Sequence, residues 1–299
     1  MNRTDVCAII VTFHPDEDFA ARAQRIAGQV GRLILVDNAS GAQALAMLEG
    51  IAAGSARSTR LLRNPTNLGV AQALNAGIAQ AEALGYRWAL LMDQDSIIHE
   101  DLVDSLIGVL ASQPVPAQVA VVGAGYREPL ERPMTPGDAA AARAWDEVDW
   151  VITSGSLLSI EAYRVIGPFR EEFFIDYVDL EYCVRARARG YRVLRARAAL
   201  MHHVIGAPTQ HRLLWSQKWT SNHSPDRRYY RARNDTVMLR ESGRYRFGSW
   251  RLKSFARSVR TCKRVLLYEG GKWTKIRAVL EGWWDGIHGR LGIRGSVSR

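Results

Sequence analysis

Trp88-Ala89-Leu90-Leu91-Met92-Asp93-Gln94-Asp95-Ser96 is a short apolar run that stops abruptly at two carboxylates flanking one residue. An uninterrupted apolar run of this length, bounded by polar residues, has the character of a strand buried on both faces of a parallel sheet. Side chains alternate with period two along a strand, so Asp93 and Asp95 are expected to share a face. Two hard oxygen donors side by side at a strand's carboxyl end suit a divalent cation that also holds phosphate oxygens. The same residues equally suit a turn or a helix N-cap, where Asp and Ser are favoured for their local hydrogen bonds. The flanking sequence has to separate the two.

Upstream, strand and helix patterns alternate. Val6 to Phe13 reads VCAIIVTF, the β-rich apolar signature of a central parallel strand. His14-Pro15-Asp16 ends it, and helical spacing follows from Asp18 to Val30. Leu33 to Val36 is a second strand, stopped by the turn-rich Asp37-Asn38-Ala39-Ser40-Gly41. After a further helix, Thr59 to Arg63 is a third strand, and Asn67-Leu68-Gly69-Val70 leads into an Ala-rich helix through Leu84. Four strands alternating with three helices predict an α/β fold with a doubly wound, mainly parallel sheet. Ligands of such sheets lie beyond the carboxyl ends of the strands. Thr12–His14, Asp37–Ser40, Arg63–Asn67 and Asp93–Asp95 all fall there. Asp37 suits a base N–H or a ribose hydroxyl, and an Asx-turn without any ligand explains it equally well. There is no G-x-G-x-x-G after the first strand and no G-x-x-x-x-G-K-[ST] anywhere, which sets aside the dinucleotide fingerprint and the P-loop.

Downstream the character changes. Val119 to Val122 is a strand, and Arg127 to Ala144 is a Pro-rich, then Ala-rich connection of a length usually kept for function or mobility. Asp149 to Ser159 reads as a strand centred on Thr-Ser-Gly-Ser. The segment from Phe173 to Cys183 sets Asp176, Asp179 and Glu181 among aromatics, ahead of a basic helix to Arg189. Carboxylates in such surroundings suit general-base work, and helix N-terminal carboxylates favoured by the dipole, with Asp179 as the cap, fit equally. Val193 to His203 is a strand ending in paired histidines. A neutral His203 imidazole suits a metal, although a lone histidine more often serves packing or the surface.

Composition bounds the classes. The 299 residues are 47% hydrophobic and 23% charged, enough for one large α/β domain with an appendage. No run approaches the ~18 apolar residues of a spanning helix. The N-terminus carries no signal-peptide pattern, and Cys7, Cys183 and Cys262 have no metal-ligand spacing, so a reduced cytoplasmic setting is expected. The net charge of +10 is uneven. Residues 1–200 sum to about −5 and residues 201–299 to about +15. A basic tail on a near-neutral body points to a polyanion, either nucleic acid or an anionic membrane. Phe255, Val259, Cys262 and Leu266, within Trp250–Leu267, recur at helical spacing. A second stripe comprises Ile276, Val279, Leu280, Trp283, Ile287 and Leu291, with Trp284 beside it. Basic amphipathic helices of this kind lie in a membrane interface, or else pack on the catalytic domain or on a second copy in a homo-oligomer. Nucleic-acid binding would account for the charge and the Arg–Tyr interleaving. It leaves the acidic and turn-rich motifs at strand ends unexplained, so no nucleic acid is expected.

In order along the chain, VTFHPD (Val11–Asp16), LVDNAS (Leu35–Ser40), NLGVAQALNAGI (Asn67–Ile78), LLMDQDS (Leu90–Ser96), TSGSLLS (Thr153–Ser159), FFIDYVDLEYCVRARARGY (Phe173–Tyr191), HHVIG (His202–Gly206) and RRYYRARN (Arg227–Asn234) resemble the inverting glycosyltransferases of family 2 with a GT-A fold. Within that family they are most similar to the bacterial rhamnosyltransferases of lipopolysaccharide and polysaccharide assembly. The resemblance implies a nucleotide-sugar-binding catalytic domain over residues 1–215 and a basic, mainly helical region over residues 216–299. It implies that Thr12, Phe13, His14, Asp37 and Asn38 frame the nucleoside. Asn67, Gly69 and Asn75 would face the ribose and diphosphate, and Asp93 with Gln94 the ribose or sugar. Asp95 would bind Mg²⁺ or Mn²⁺ with His203 as a second ligand. Asp179 matches the general base, with Asp176 and Glu181 as substitutes or acceptor-binding groups. Thr153, Ser154 and Gly155 would line the acceptor groove, and Arg228 and Arg233 would meet acceptor phosphates. The implied donor is dTDP-L-rhamnose and the acceptor a saccharide or a lipid-linked one, at the inner face of the cell membrane. A UDP-hexose or UDP-galactofuranose donor is the alternative, and a nucleotide-sugar binder without catalysis is the rival class.

Overall fold

The computed structural model describes residues 1–54, 58–127, 145–202, 209–213, 216–220, 222–243 and 260–295. His203, most of the Arg127–Ala144 connection and the first part of the Trp250–Leu267 stripe lie outside the described residues. The chain divides into two compact units, one of Met1–Arg170 with Tyr182–His203, the other of Glu171–Glu181 with Val204–Arg299.

The first unit is built on one sheet. Its strands are β1 (Val6–Thr12), β2 (Arg32–Asp37), β3 (Thr59–Arg63), β4 (Trp88–Asp93), β5 (Ile97–Ile98), β6 (Val119–Arg127), β7 (Trp145–Glu147), β8 (Ser156–Ser159) and β9 (Arg192–His202). Their order is β3-β2-β1-β4-β8-β6-β9-β5, with β7 paired to β9. The first four strands are mutually parallel and linked by α1 (Phe19–Ala27), α2 (Ala42–Gly54) and α3 (Val70–Ala83), the predicted alternation. Further along the chain come α4 (Leu102–Ala111), α5 (Ile160–Ile166) and α6 (Val178–Ala188). The apolar runs of β1, β2 and β4 are buried on both faces because helices cover both, whereas β3, at the edge, is only partly buried. Gly77 of α3 shows how closely: a Cβ there would stand 2.4 Å from Ile9 Cγ2. β8 runs antiparallel between β4 and β6.

Two sequence expectations change. β4 ends at Asp93, and Gln94 and Asp95 form a turn, so period-two alternation stops before it reaches Asp95. The backbone leaves the sheet there because the Gln94 side chain bonds back across to Phe13. Asp149–Ser159 is a strand only over Ser156–Ser159, and Thr153–Gly155 turns instead. Gly155 sits at φ +72°, and a Cβ there would stand 2.6 Å from Met201 Sδ, so neither conformation nor space admits a larger residue.

The second unit contains the Glu171–Glu181 segment and an antiparallel hairpin of β10 (Thr209–Leu213) and β11 (Ser216–Thr220). It also holds the helices α7 (Pro225–Arg240) and α8 (Lys272–His288), with a helical stretch over 260–268. α8 does not pack through the stripe predicted for it. Its buried face is Lys275, Ala278, Val279, Gly282 and Gly286, and only Val279 belongs to that stripe. The two glycines let the backbones meet: a Cβ at Gly282 would lie 2.4 Å from the Tyr229 carbonyl oxygen, and one at Gly286 2.7 Å from that of Arg233. The bulky side chains are turned outward, with Trp273 80%, Leu280 53%, Trp284 58% and Ile287 57% exposed. Beneath, Glu269 accepts hydrogen bonds from Arg228 and Lys275, all three buried. Among the described residues no helix is long and apolar enough to cross a membrane.

Candidate active site

In the first unit the register of the parallel strands brings the predicted loop residues to one edge. Val11 stands opposite Asp93, Thr12 opposite Asp37, and Asp37 opposite Arg63. Asp37 is buried and ties two strand ends together: Oδ1 accepts from the Thr12 hydroxyl at 3.1 Å and Oδ2 from the Ser40 amide at 3.0 Å. Ser40 Oγ in turn accepts from the His14 amide at 2.8 Å. Asn38 donates to the Gly69 carbonyl at 3.1 Å and accepts from Asn64 at 2.8 Å, linking the second and third loops. His14 and Ala39 are held at φ +50° and +65°, a conformation that persists only where the surroundings impose it. The product of this bracing is an exposed aromatic pair, with Phe13 45% exposed and its ring 4.4 Å from that of His14.

The other half of the edge is the turn after β4. Gln94 Oε1 accepts from the Phe13 amide at 2.7 Å and its Nε2 donates to the Phe13 carbonyl at 3.2 Å, while Arg22 grips the Gln94 carbonyl at 2.9 Å. Behind them Ser154, fully buried, bonds to Ser96 Oγ at 2.7 Å and to the Asp93 amide at 3.2 Å. Of the predicted acceptor residues, Ser154 therefore underlies the Asp93 turn, and the Gly155 amide donates to Leu91. Asn75 braces a loop, accepting from Tyr163 and the Phe169 amide and donating to the Phe169 carbonyl. Gly69, at φ +85°, N-caps α3, with Asn67 accepting from its amide.

The donor chemistry at this turn fits a hard divalent cation: carboxylates at Asp93 and Asp95, the latter exposed, on a backbone fixed from three sides. β9 pairs antiparallel with β5 so that His202, its last described residue, stands opposite Ile97, two positions after Asp95. No group of three His, Cys, Asp or Glu side chains gathers as a metal cluster among the described residues.

In the second unit, Asp176, Asp179 and Glu181 stand at the start of α6 (Val178–Ala188). Glu181 is 1% exposed, whereas Asp179 is half-buried, its Oδ1 accepting from the Leu180 amide at 2.8 Å. Asp176 pairs with Arg227 at 3.1 Å. Arg228 and Arg233 are buried: Arg228 on Glu269, Arg233 on the carbonyls of Glu172, Phe173 and Gly292. Sequence reasoning passed over Ser40, Asn64, Ser96, Asn234 and Asp235. Ser40, Ser96 and Asn234 close the motifs LVDNAS, LLMDQDS and RRYYRARN, and Asn64 lies in the Arg63–Asn67 loop, which was the available signal. Nothing local marks Asp235.

A model of the family described as glycosyl transferase family 2 matches residues 8–160. The dTDP-rhamnosyl transferase RfbF of Shigella flexneri is 27% identical over 257 residues, covering 80% of this chain and 81% of that protein. A solved structure of S. aureus TarS, residues 1–349, superposes with a TM-score of 0.59 at 14% identity, over 96% of this chain and 81% of that one. The mannosyltransferase PcManGT from Pyrobaculum calidifontis, in complex with GDP-Man and Mn²⁺, gives 0.60 at 13% identity, over 96% and 88%. At such identities the likeness is one of fold, and it bears out the α/β GT-A-type architecture with helices at the C-terminus.

Proposed function

The chain belongs to glycosyl transferase family 2, and from that premise we propose that it transfers L-rhamnose from dTDP-L-rhamnose to a saccharide or lipid-linked acceptor, with inversion at the anomeric carbon. The reading is carried by the single edge on which Thr12, Asp37 and Asp93 are aligned by strand register. The choice of donor rests on the likeness to RfbF.

In this proposal the Phe13–His14 rings offer the pyrimidine a stacking face, positioned by Thr12, Asp37 and Asn38. Asn67 and Gly69, at the N-terminus of α3, face the diphosphate, where the helix dipole favours negative charge, and Asn75 holds the adjoining loop. Asp93 and Gln94 face the ribose or sugar. Asp95 and His203 would hold Mg²⁺ or Mn²⁺, which supplies positive charge to the departing diphosphate. Asp179 accepts the proton of the acceptor hydroxyl as that oxygen bonds to the anomeric carbon and the carbon–phosphate-oxygen bond breaks, its electron pair leaving with the nucleoside diphosphate. Asp176 or Glu181 is the substitute, and the turn at Thr153–Gly155 contributes to the acceptor side. The outward face of α8 supports an anionic bilayer as the surface at which a lipid-linked acceptor is met. The test is turnover across dTDP-L-rhamnose, UDP-galactose and UDP-galactofuranose, with Asp179→Asn alongside. The substitution should lower kcat by about 10²-fold or more. Wild-type turnover by Asp179→Asn removes Asp179 from the base role, and preferential use of a UDP-sugar moves the donor to the alternative.

A further inference from the structure

Between the short 3₁₀ turn Glu171–Phe173 and α6, the backbone takes a shape that L-residues avoid. Phe174, Asp176 and Tyr177 have φ of +64°, +61° and +67°, and none is glycine. Such a run persists only when neighbours over-determine it, and strained segments of this kind gather at functional sites.

Helix α7 supplies many of the neighbours. Asn234, 0% exposed, directs its amide nitrogen at three carbonyls of the segment: Phe173 at 3.0 Å, Ile175 at 2.9 Å and Asp176 at 2.8 Å. Arg233 donates to Glu172 and Phe173 and, through Nε at 3.0 Å, to Asn234 Oδ1, which fixes the orientation of that amide. Asp235 accepts from the Tyr177 hydroxyl at 2.8 Å, and the Phe174 ring stacks on Tyr230 with centroids 4.7 Å apart. Successive positions of α7 thus hold successive positions of the turn. Arg233, expected from the sequence to meet acceptor phosphates, is instead directed inward with Asn234 to backbone oxygens.

We propose that Asn234, oriented by Arg233 and assisted by Asp235, is a positioning residue for the general base: it holds Phe174–Tyr177 in the strained form from which Asp176 and Asp179 are presented. This rests on the assignment of the base to those carboxylates. The role is distinct from plain packing, because relaxing the turn displaces the carboxylates while leaving the nucleotide loops of the other unit as they are.

The experiment compares Asn234→Ala, Tyr177→Phe, Asp176→Asn and Asp179→Asn in the full chain, at a temperature where circular dichroism shows each to be folded. Asn234→Ala should lower kcat about tenfold or more, since small misplacements of a reacting group are expensive in rate. Tyr177→Phe, losing one hydrogen bond, should lower it about threefold. Donor KM and dTDP binding by calorimetry should be unchanged in both. Wild-type kcat in both folded variants, even with a lowered Tm, overturns the proposal and leaves the base assignment intact if Asp179→Asn or Asp176→Asn is inactive. Wild-type kcat in both Asp179→Asn and Asp176→Asn overturns the base assignment and this proposal with it. If Asn234→Ala is insoluble, Tyr177→Phe decides alone.

Discussion

Replacing Glu269 by Gln removes the carboxylate that bridges two buried cations. Its side chain is fully buried and accepts from Arg228 at 2.5 Å and Lys275 at 2.9 Å, while Lys275 also donates to Asn222 at 2.6 Å. Arg228 Nε finds no partner among the described residues, and burial already draws the guanidinium pKa down, with Glu269 opposing. At an effective dielectric of about 20, each pair at ~3 Å is worth roughly 5 kcal/mol of attraction, most of it offset by desolvation. The amide leaves two desolvated cations facing one another. Breaking one buried pair typically costs about 3–5 kcal/mol, and this change breaks two, so the upper end is expected. Lys275→Met, which leaves a balanced Arg228–Glu269 pair, should cost less than half as much. Urea unfolding followed by tryptophan fluorescence measures both, because Trp273, Trp283 and Trp284 lie on α8. A loss below about 1 kcal/mol for Glu269→Gln, or a larger one for Lys275→Met, refutes the view that charge balance governs this core.

Other consequences are open to measurement. Burial first, then the nearby Arg227, Arg231, Arg228 and Lys275, push the His223 imidazole down to about 3, and its Nε2 accepts from Arg231. Because the unfolded chain binds that proton near pH 6.5 and the folded one does not, stability should fall by about 1.4 kcal/mol per pH unit below that point. Thermal midpoints from pH 7 to pH 4 should decline less steeply in His223→Gln, and equal slopes would exclude His223 as the cause. Excess EDTA should abolish sugar transfer and Mn²⁺ or Mg²⁺ restore it, with Asp95→Asn demanding far more metal; full activity in chelator ends the metal assignment. Trp273→Ala/Trp284→Ala should lose co-sedimentation with vesicles containing phosphatidylglycerol while keeping turnover on a soluble acceptor. Equal pelleting by wild type and variant would clear the α8 face of that role.

What the chain discloses in one dimension follows from the range of the forces involved. The alternation from Val6 to Asp93 is legible because each strand's apolar run and each loop's turn residues are local signals. The edge on which Thr12, Asp37 and Asp93 meet then follows from parallel pairing alone. The side chains that set the loops are harder to see, since Gln94 bonds across 81 residues to Phe13 and Ser154 across 58 to Ser96. The period-two expectation for Asp95 failed at that same long-range contact. Asn234 was invisible as a support, because a single polar residue in an Arg-rich helix carries no mark of the three carbonyls it meets 58 to 61 positions earlier. The apolar stripe of α8 had the right period and the wrong direction: small residues permitted the closer approach, and volume was decided by the partner helix.

Because α8 is seated on Ala278, Gly282 and Gly286, its two sides answer to different selection. A bulkier residue at any of those three positions forces the helices apart and is rejected at assembly. Trp273, Leu280, Trp284 and Ile287 bear no such burden, so they are free to change with whatever the enzyme must touch. Relatives that work on different surfaces should therefore diverge at positions 273, 280, 284 and 287 while keeping 278, 282 and 286 small.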